Sequence, residues 1–259
     1  MVLIDSHCHL TSPPLAADVG AVLERARVAG VTRCLTVGTD AADNAAAVQI
    51  AENFPEVFAA VGIHPHEAGK ASAVDMGGLA ELYDHPRVVA AGEMGLDYYY
   101  DLSDRPRQRR VLAEQLEQAR RAGKPVVIHC RKAFEDTVAV LKECQCVDTP
   151  VVFHCFGGSP EQFAVLDRHG WRASFTGSVT FRNAAGLREI LRRYPADRLM
   201  LETDAPYLTP EPMRKVKPNE PAYLVHVAAC LAALRGLPIE ELAAQTTANA
   251  EAFFRLPTA

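Results

Sequence analysis

The sequence predicts an α/β fold, a TIM (β/α)8 barrel with an extra C-terminal helix, and three observations carry that prediction. Eight short β-branched runs alternate with segments of helical period. No low-complexity linker, compositional break or charge block separates them. The histidines and acids that punctuate the runs stand at their C-terminal ends, where barrels of this kind carry their sites. The 259 residues, 49% hydrophobic and 23% charged, suffice for one full core, so a single domain over 1–259 is expected.

The strand runs lie near 2–7, 32–38, 57–63, 87–93, 125–129, 150–155, 171–177 and 198–203. The first, Val-Leu-Ile-Asp-Ser-His, and the near-twins Pro-Val-Val-Ile-His and Pro-Val-Val-Phe-His have the unbroken apolar character of parallel strands buried on both faces. Between the runs lie amphipathic segments. In 105–122, Pro106 sits near the start, Leu112, Leu116 and Ala119 form a stripe, and Gly123 ends the helix. In 221–235, Leu224, Val227, Leu231 and Leu234 share a face and Gly236 follows. The last segment, 238–254, turns Ile239, Leu242 and Phe253 inward and is expected to close the barrel.

Composition excludes some functions. A formal charge of -5 gives no global attraction to a polyanion, so any such binding must be local. Seven scattered cysteines fit reduced thiols rather than a disulfide framework, and Cys144 and Cys146 lack the companions of a zinc site. With no basic leader before the first strand and no apolar run of spanning length, a cytoplasmic, membrane-free protein is expected, with no obligate protein partner evident.

The chemistry-bearing residues are His7, His9, Glu93, His129, His154 and Asp204. A lone histidine at a strand end is ordinarily a packed rim residue. His7 and His9, however, stand two apart and share a strand face, while Cys8 points away into packing. Four imidazoles and two acids at one end of a sheet are hard to explain as structure, because burying unpaired charge costs several kcal/mol. Mixed nitrogen and oxygen donors favour divalent ions of the zinc or manganese type. Gly92 lets the backbone approach closely before Glu93, whose two oxygens suit two cations. Two ions are expected.

Six ordered motifs then resemble a family. Asp5-Ser-His-Cys-His9, Gly62-Ile-His-Pro-His-Glu67, Gly92-Glu-Met-Gly-Leu-Asp-Tyr98, His154-Cys-Phe156, Glu202-Thr-Asp-Ala-Pro206 and Asn219-Glu-Pro221 are together similar to the TatD-type metal-dependent hydrolases of the amidohydrolase superfamily, along nearly the whole chain. The resemblance implies a TIM barrel with two divalent ions (Zn, Mn or Mg). It assigns His7, His9 and Asp204 to one ion and His129 and His154 to the other, with Glu93 between them. It also implies a deoxyribonuclease trimming DNA from its 3′ end. For that reaction Asp204, ligand and proton acceptor at once, is expected to orient the attacking nucleophile, with Glu93 among the catalytic groups.

Outside that ligand set, His64 is read as a phosphate contact or leaving-group acid, against a bracing role in its Pro65-stiffened loop; the case for His66 is weaker. Arg131 and Lys132, and Arg214, Lys215 and Lys217, are cationic where a polyanion needs them, and Arg214 is the favoured phosphate contact. Met213-Arg-Lys-Val-Lys-Pro218 lacks the glycine that relatives often carry before Asn-Glu-Pro, which argues against backbone contacts there. Tyr98, Tyr99, Tyr100, Phe156 and Tyr207 are candidate stacking faces, Tyr207 being the one assigned to substrate. Asp97 is read as a brace for a ligand histidine or a turn cap, and Asn249 as an anchor of the last helix. The same metals would also serve an acyl ester or amide hydrolase such as a D-aminoacyl-tRNA deacylase, and a non-catalytic metal-binding scaffold is the remaining alternative.

Overall fold

The protein was described from a computed structural model covering residues 1–257. Strands β1 Leu3–Cys8, β2 Val31–Val37, β3 Val57–Val61, β4 Val88–Asp97, β5 Val126–Arg131, β6 Val151–Phe153, β7 Arg172–Phe175 and β8 Leu199–Leu201 form one sheet in the order β1 to β8. Between and after them run α1 Pro13–Ala16, α2 Val19–Val28, α3 Ala41–Asn53, α4 Ala73–Leu82, α5 Arg105–Ala122, α6 Phe134–Glu143, α7 Pro160–His169, α8 Ala185–Leu191, α9 Leu224–Arg235 and α10 Ile239–Phe254. Parallel pairing in sequence order, with helices between strands and α10 appended, is the TIM-barrel arrangement. All seven cysteines are free thiols. Among the described residues, no single helix is long and apolar enough to cross a membrane.

The chain divides into two compact units, each discontinuous: 1–36, 155–164 and 172 onward in one, 37–154 and 165–171 in the other. In the first, β1 pairs with β2 and β7 with β8. Leu3, Val227, Leu231, Leu242 and Leu199 are fully buried there. Helix α10 is tied to this sheet by Asn249, whose Nδ2 donates to the carbonyls of Ala196 (2.7 Å) and Leu199 (2.8 Å), and by Thr247, which donates to the Val2 carbonyl.

The second unit carries β3 to β6. Helix α5 is its best-formed helix. Asp104 caps the Arg107 N–H, Pro106 falls in the first turn, and Gly123 ends it at φ 63, the left-handed conformation that glycine takes at no steric cost. Leu112, Leu116 and Ala119 are buried as the stripe predicts, each leucine contributing about 1.5–3 kcal/mol. Two glutamines share that buried face. Gln115 accepts from the Ile63 N–H (2.7 Å) and donates to the Ile63 carbonyl (3.0 Å); Gln108 does the same for Asp97 (2.8 and 3.2 Å).

Strand β4 differs from the expected 87–93. It runs on to Asp97, with a register shift between Ala91 and Met94, so Glu93 sits inside the strand rather than at its end. Glycine makes this possible. A Cβ on Gly92 (φ 139) would run into the Val127 carbonyl, and one on Gly95 (φ 154), which pairs with His129, would run into the His129 carbonyl.

Candidate metal centres

Two groups of donors form, one in each unit. In the first, β1 delivers Asp5 and His7, and His9 follows immediately. The segment after β8 hydrogen-bonds back onto this strand end, Asp204 N–H to the His7 carbonyl (2.9 Å) and His9 N–H to the Ala205 carbonyl (2.7 Å). That exchange brings Asp204, at φ 54, against both histidines. His7 Nε2 stands 3.3 Å from His9 Nε2, and Asp204 Oδ1 stands 3.8 and 3.5 Å from the two nitrogens.

The turn bearing Asp204 is fastened from beneath. Thr203 donates its N–H (2.9 Å) and hydroxyl (2.5 Å) to the Asp5 carboxylate, and Asn219 Nδ2 donates to the carbonyls of Thr203 (3.0 Å) and Tyr207. Burial pushes the Asp5 carboxyl up to about 7 against those bonds from Thr203. Glu220 holds the same segment through a bidentate pair with Arg25 at 2.7–3.0 Å. The Asn-Glu-Pro motif is therefore a fastening.

In the second unit, Glu93 Oε1 is the focus. His129 Nδ1 lies 2.7 Å from it, His154 Nε2 2.8 Å and His64 Nε2 3.5 Å; His129 Nδ1 is 3.4 Å from His154 Nε2 and 3.3 Å from His64 Nε2. Burial opposes ionisation of Glu93, but the neighbouring His154, His64 and His129 hold its carboxyl well below the usual range. Asp97 Oδ2 accepts from His129 Nε2 (3.1 Å) and His66 Nε2 (2.9 Å), and its Oδ1 accepts from the N–H groups of Tyr99 and Tyr100. Burial pulls the His129 pKa down, and the bonds to Asp97 and Glu93 more than reverse it.

These bonds set ring tautomers. With Nε2 donating to Asp97, His129 turns the lone pair of Nδ1 toward the Glu93 oxygen 2.7 Å away, a contact that requires a proton or a cation. His64 is different. Its Nδ1 accepts the His66 backbone N–H (3.1 Å), so in the neutral ring Nε2 carries the proton and points at the cluster as a donor. Burial pushes its pKa down to about 4, which keeps the ring neutral. His64 thus stands close to the ligand atoms yet is arranged to give a hydrogen bond.

The donor sets fit divalent cations. Ligand nitrogens about 2.0–2.1 Å from a tetrahedral zinc stand about 3.3–3.4 Å apart. That is the spacing of the His7 and His9 nitrogens, 3.3 Å. His7, His9 and Asp204 form one group able to hold an ion, and His64, Glu93 and His129 are gathered in another. His154 joins the second through Glu93.

Of the predicted substrate residues, His64 lies in the second donor group and Tyr207 stands beside the first, while Arg214 packs on an aromatic ring. Tyr207 is exposed, its ring centroid 6.2 Å from that of His9. Arg214 is exposed and covers the Phe181 ring at 3.9 Å. Tyr98 is half-buried, its hydroxyl donating to Asp136 (2.7 Å) and Arg105 lying over one face of its ring. Phe156 is buried against Phe163 and presents no stacking face. Sequence reading passed over Gln108 and Gln115, whose signal was an amide seven residues from another on an otherwise apolar helix face.

A TIM barrel with histidine and carboxylate groups of this kind defines a metal-dependent hydrolase. The sequence profile described as TatD related DNase matches residues 4–255. YabD of Bacillus subtilis, described as an uncharacterized metal-dependent hydrolase, is 39% identical over 255 residues, 98% of this chain and 100% of its own. The 3'-5' ssDNA/RNA exonuclease TatD of Erwinia billingiae is 39% identical over 260 residues, 98% of this chain and 100% of its own. The crystal structure of YJJV, a TatD homolog from Escherichia coli, matches with a TM-score of 0.91 at 34% identity, covering 98% of each chain. The chain belongs to the TatD family.

Proposed function

We propose that the protein is a nuclease that removes nucleotides from the 3′ end of single-stranded DNA in the cytoplasm, using one divalent ion at His7, His9 and Asp204 and another at Glu93, His129 and His154. The observation that carries the metal chemistry is the nitrogen spacing and tautomer pattern of the two groups; the choice of nucleic acid is supported by the name of the Erwinia relative. When bound, such ions lower the pKa of water and stabilise charge on phosphoryl oxygens. Asp204, partly accessible, orients the attacking water and takes its proton. His64, neutral and donating through Nε2, gives a hydrogen bond to a phosphoryl oxygen or the departing one. The Asp5–Thr203 and Asn219 bonds hold Asp204 in place while this occurs.

Metal-replete protein given 3′-ended single-stranded DNA is expected to release mononucleotides, and given D-aminoacyl-tRNA to release no amino acid. The reverse pattern would replace this reading with an acyl hydrolase, and hydrolysis of neither would leave a metal-binding scaffold. Asp204→Asn should abolish turnover and leave the chain folded; a folded variant hydrolysing at near the wild-type rate removes Asp204 from the mechanism.

A further inference from the structure

Arg131 is placed in an unusual way for a surface cation. Its guanidinium carbon lies 4.3 Å from the centroid of the Tyr99 ring and 4.7 Å from that of Tyr100, and those two rings meet nearly at right angles (85°) with centroids 5.0 Å apart. The guanidinium therefore sits in a corner made of two aromatic faces. It forms no ion pair among the described residues. Tyr99 and Tyr100 are themselves 57% and 52% exposed, so ring surface beside the guanidinium is open to a ligand.

The corner is built onto the metal-binding unit rather than merely near it. Arg131 is two residues beyond His129 on β5, so the two side chains leave the same face of the strand. Strand register sets Gly95 beside His129 and Asp97 beside Arg131. The two tyrosine N–H groups donate to one oxygen of Asp97 while His129 donates to the other, so a single carboxylate fixes both the aromatic corner and the ligand ring. His66 fills the space between, bonded to Asp97 and with its ring centroid 5.5 Å from that of Tyr100.

We infer that Arg131, Tyr99 and Tyr100 form a subsite for the strand upstream of the scissile bond, Arg131 taking a backbone phosphate and the tyrosine rings an unpaired base. Resting on the nuclease reading above, this names what makes the substrate single-stranded. An arginine whose guanidinium carbon lies over aromatic rings keeps N–H groups for a phosphate, and base–aromatic stacking requires a base freed from its partner. The spacing agrees. Two residues of β5 span about 6.6 Å. Successive stacked nucleotides rise about 3.4 Å, so the phosphate at Arg131 is the one about two nucleotides 5′ of the bond being cut. A base locked in a duplex cannot turn onto Tyr99, and a fragment of one nucleotide cannot reach Arg131.

The test compares a short oligothymidylate with bis(p-nitrophenyl) phosphate, a phosphodiester too small to reach the corner, in wild type, Arg131→Ala, the Tyr99→Ala/Tyr100→Ala pair and the matching pair of phenylalanine substitutions. Arg131→Ala should raise KM for the oligonucleotide roughly 10- to 100-fold and leave kinetics on the small diester unchanged. In fluorescence anisotropy with chelated, non-cleaving protein, the same variant should lower the slope of log affinity against log salt by about 0.7, one phosphate's worth on a single strand. The alanine pair should weaken oligonucleotide binding roughly 5- to 100-fold with the salt slope kept, and the phenylalanine pair should restore it. If wild type cleaves the oligonucleotide while the variants keep its KM and salt slope, the subsite is overturned and the nuclease stands. If wild type cleaves the small diester and no nucleic acid, both fall.

Discussion

Asp97 has four donors on two oxygens, and that count decides what the residue does. Tyr99 and Tyr100 N–H groups use Oδ1; His129 and His66 use Oδ2. Asparagine would have a single acceptor atom. The backbone donors are fixed, so the amide NH2 would face His129 and drive its proton to Nδ1, the atom that must carry a lone pair to bind a cation. Asp97→Asn should therefore cost roughly 10- to 100-fold in affinity for one ion, read by competition with a chromophoric chelator, with little change in the other. Unchanged affinity would mean that His129 is oriented by packing alone. His64→Ala is expected to do the opposite. Because its Nδ1 is engaged by the His66 N–H and Nε2 carries the proton, its removal should leave metal content intact and lower kcat, by roughly 100-fold or more if it serves as the acid. Loss of an ion in that variant would make His64 a ligand.

At the scale of elements, the exit of β3 shows how two helices fix the segment that carries His64. Gly62 is bonded through both its N–H and its carbonyl by Asn44 of α3, and Ile63 through both of its own by Gln115 of α5. Two amide side chains thus replace the sheet ladder just where the chain leaves the strand and delivers His64. Gln115→Leu fills similar space but strands a buried N–H and carbonyl, each costing about 1–3 kcal/mol. The expected loss is about 2–6 kcal/mol in urea unfolding, with a lower kcat as His64 shifts; a midpoint that does not move would show that water or a neighbouring group satisfies Ile63. This clamp was invisible to periodicity because that reading counts apolar positions, and Gln108 and Gln115 interrupt the stripe of Leu112, Leu116 and Ala119. The expected β4 stopped at Glu93 because the run of apolar residues ends there, whereas Gly92 and Gly95 admit the Val127 and His129 carbonyls and let β4 reach Asp97.

Across the whole molecule, the eight strands were legible because parallel strands buried on both faces leave unbroken apolar runs, and the ligand candidates because a histidine or acid ending such a run is conspicuous. What sequence left open was proton placement: whether His64 gives or accepts depends on a backbone N–H two residues away, a fact of turn geometry. The same donor groups bear on stability. Glu93 is almost wholly buried among three imidazoles, and His7 is fully buried beside His9, so a cation bound at each group stabilises the folded chain but has no preformed site in the unfolded one. At free metal near 100 times the dissociation constant, one site adds about 2.7 kcal/mol. In a chain of this size each kcal/mol moves Tm by about 2–4 °C, so one ion is worth about 5–10 °C and two about twice that. Chelation should lower Tm by that amount, and Tm should climb with the logarithm of added metal in two steps. His7→Ala should erase one step and His129→Ala the other. A Tm indifferent to metal over that range, in protein shown by elemental analysis to take it up, would mean the donors bind no tighter folded than unfolded and are not metal sites of this fold.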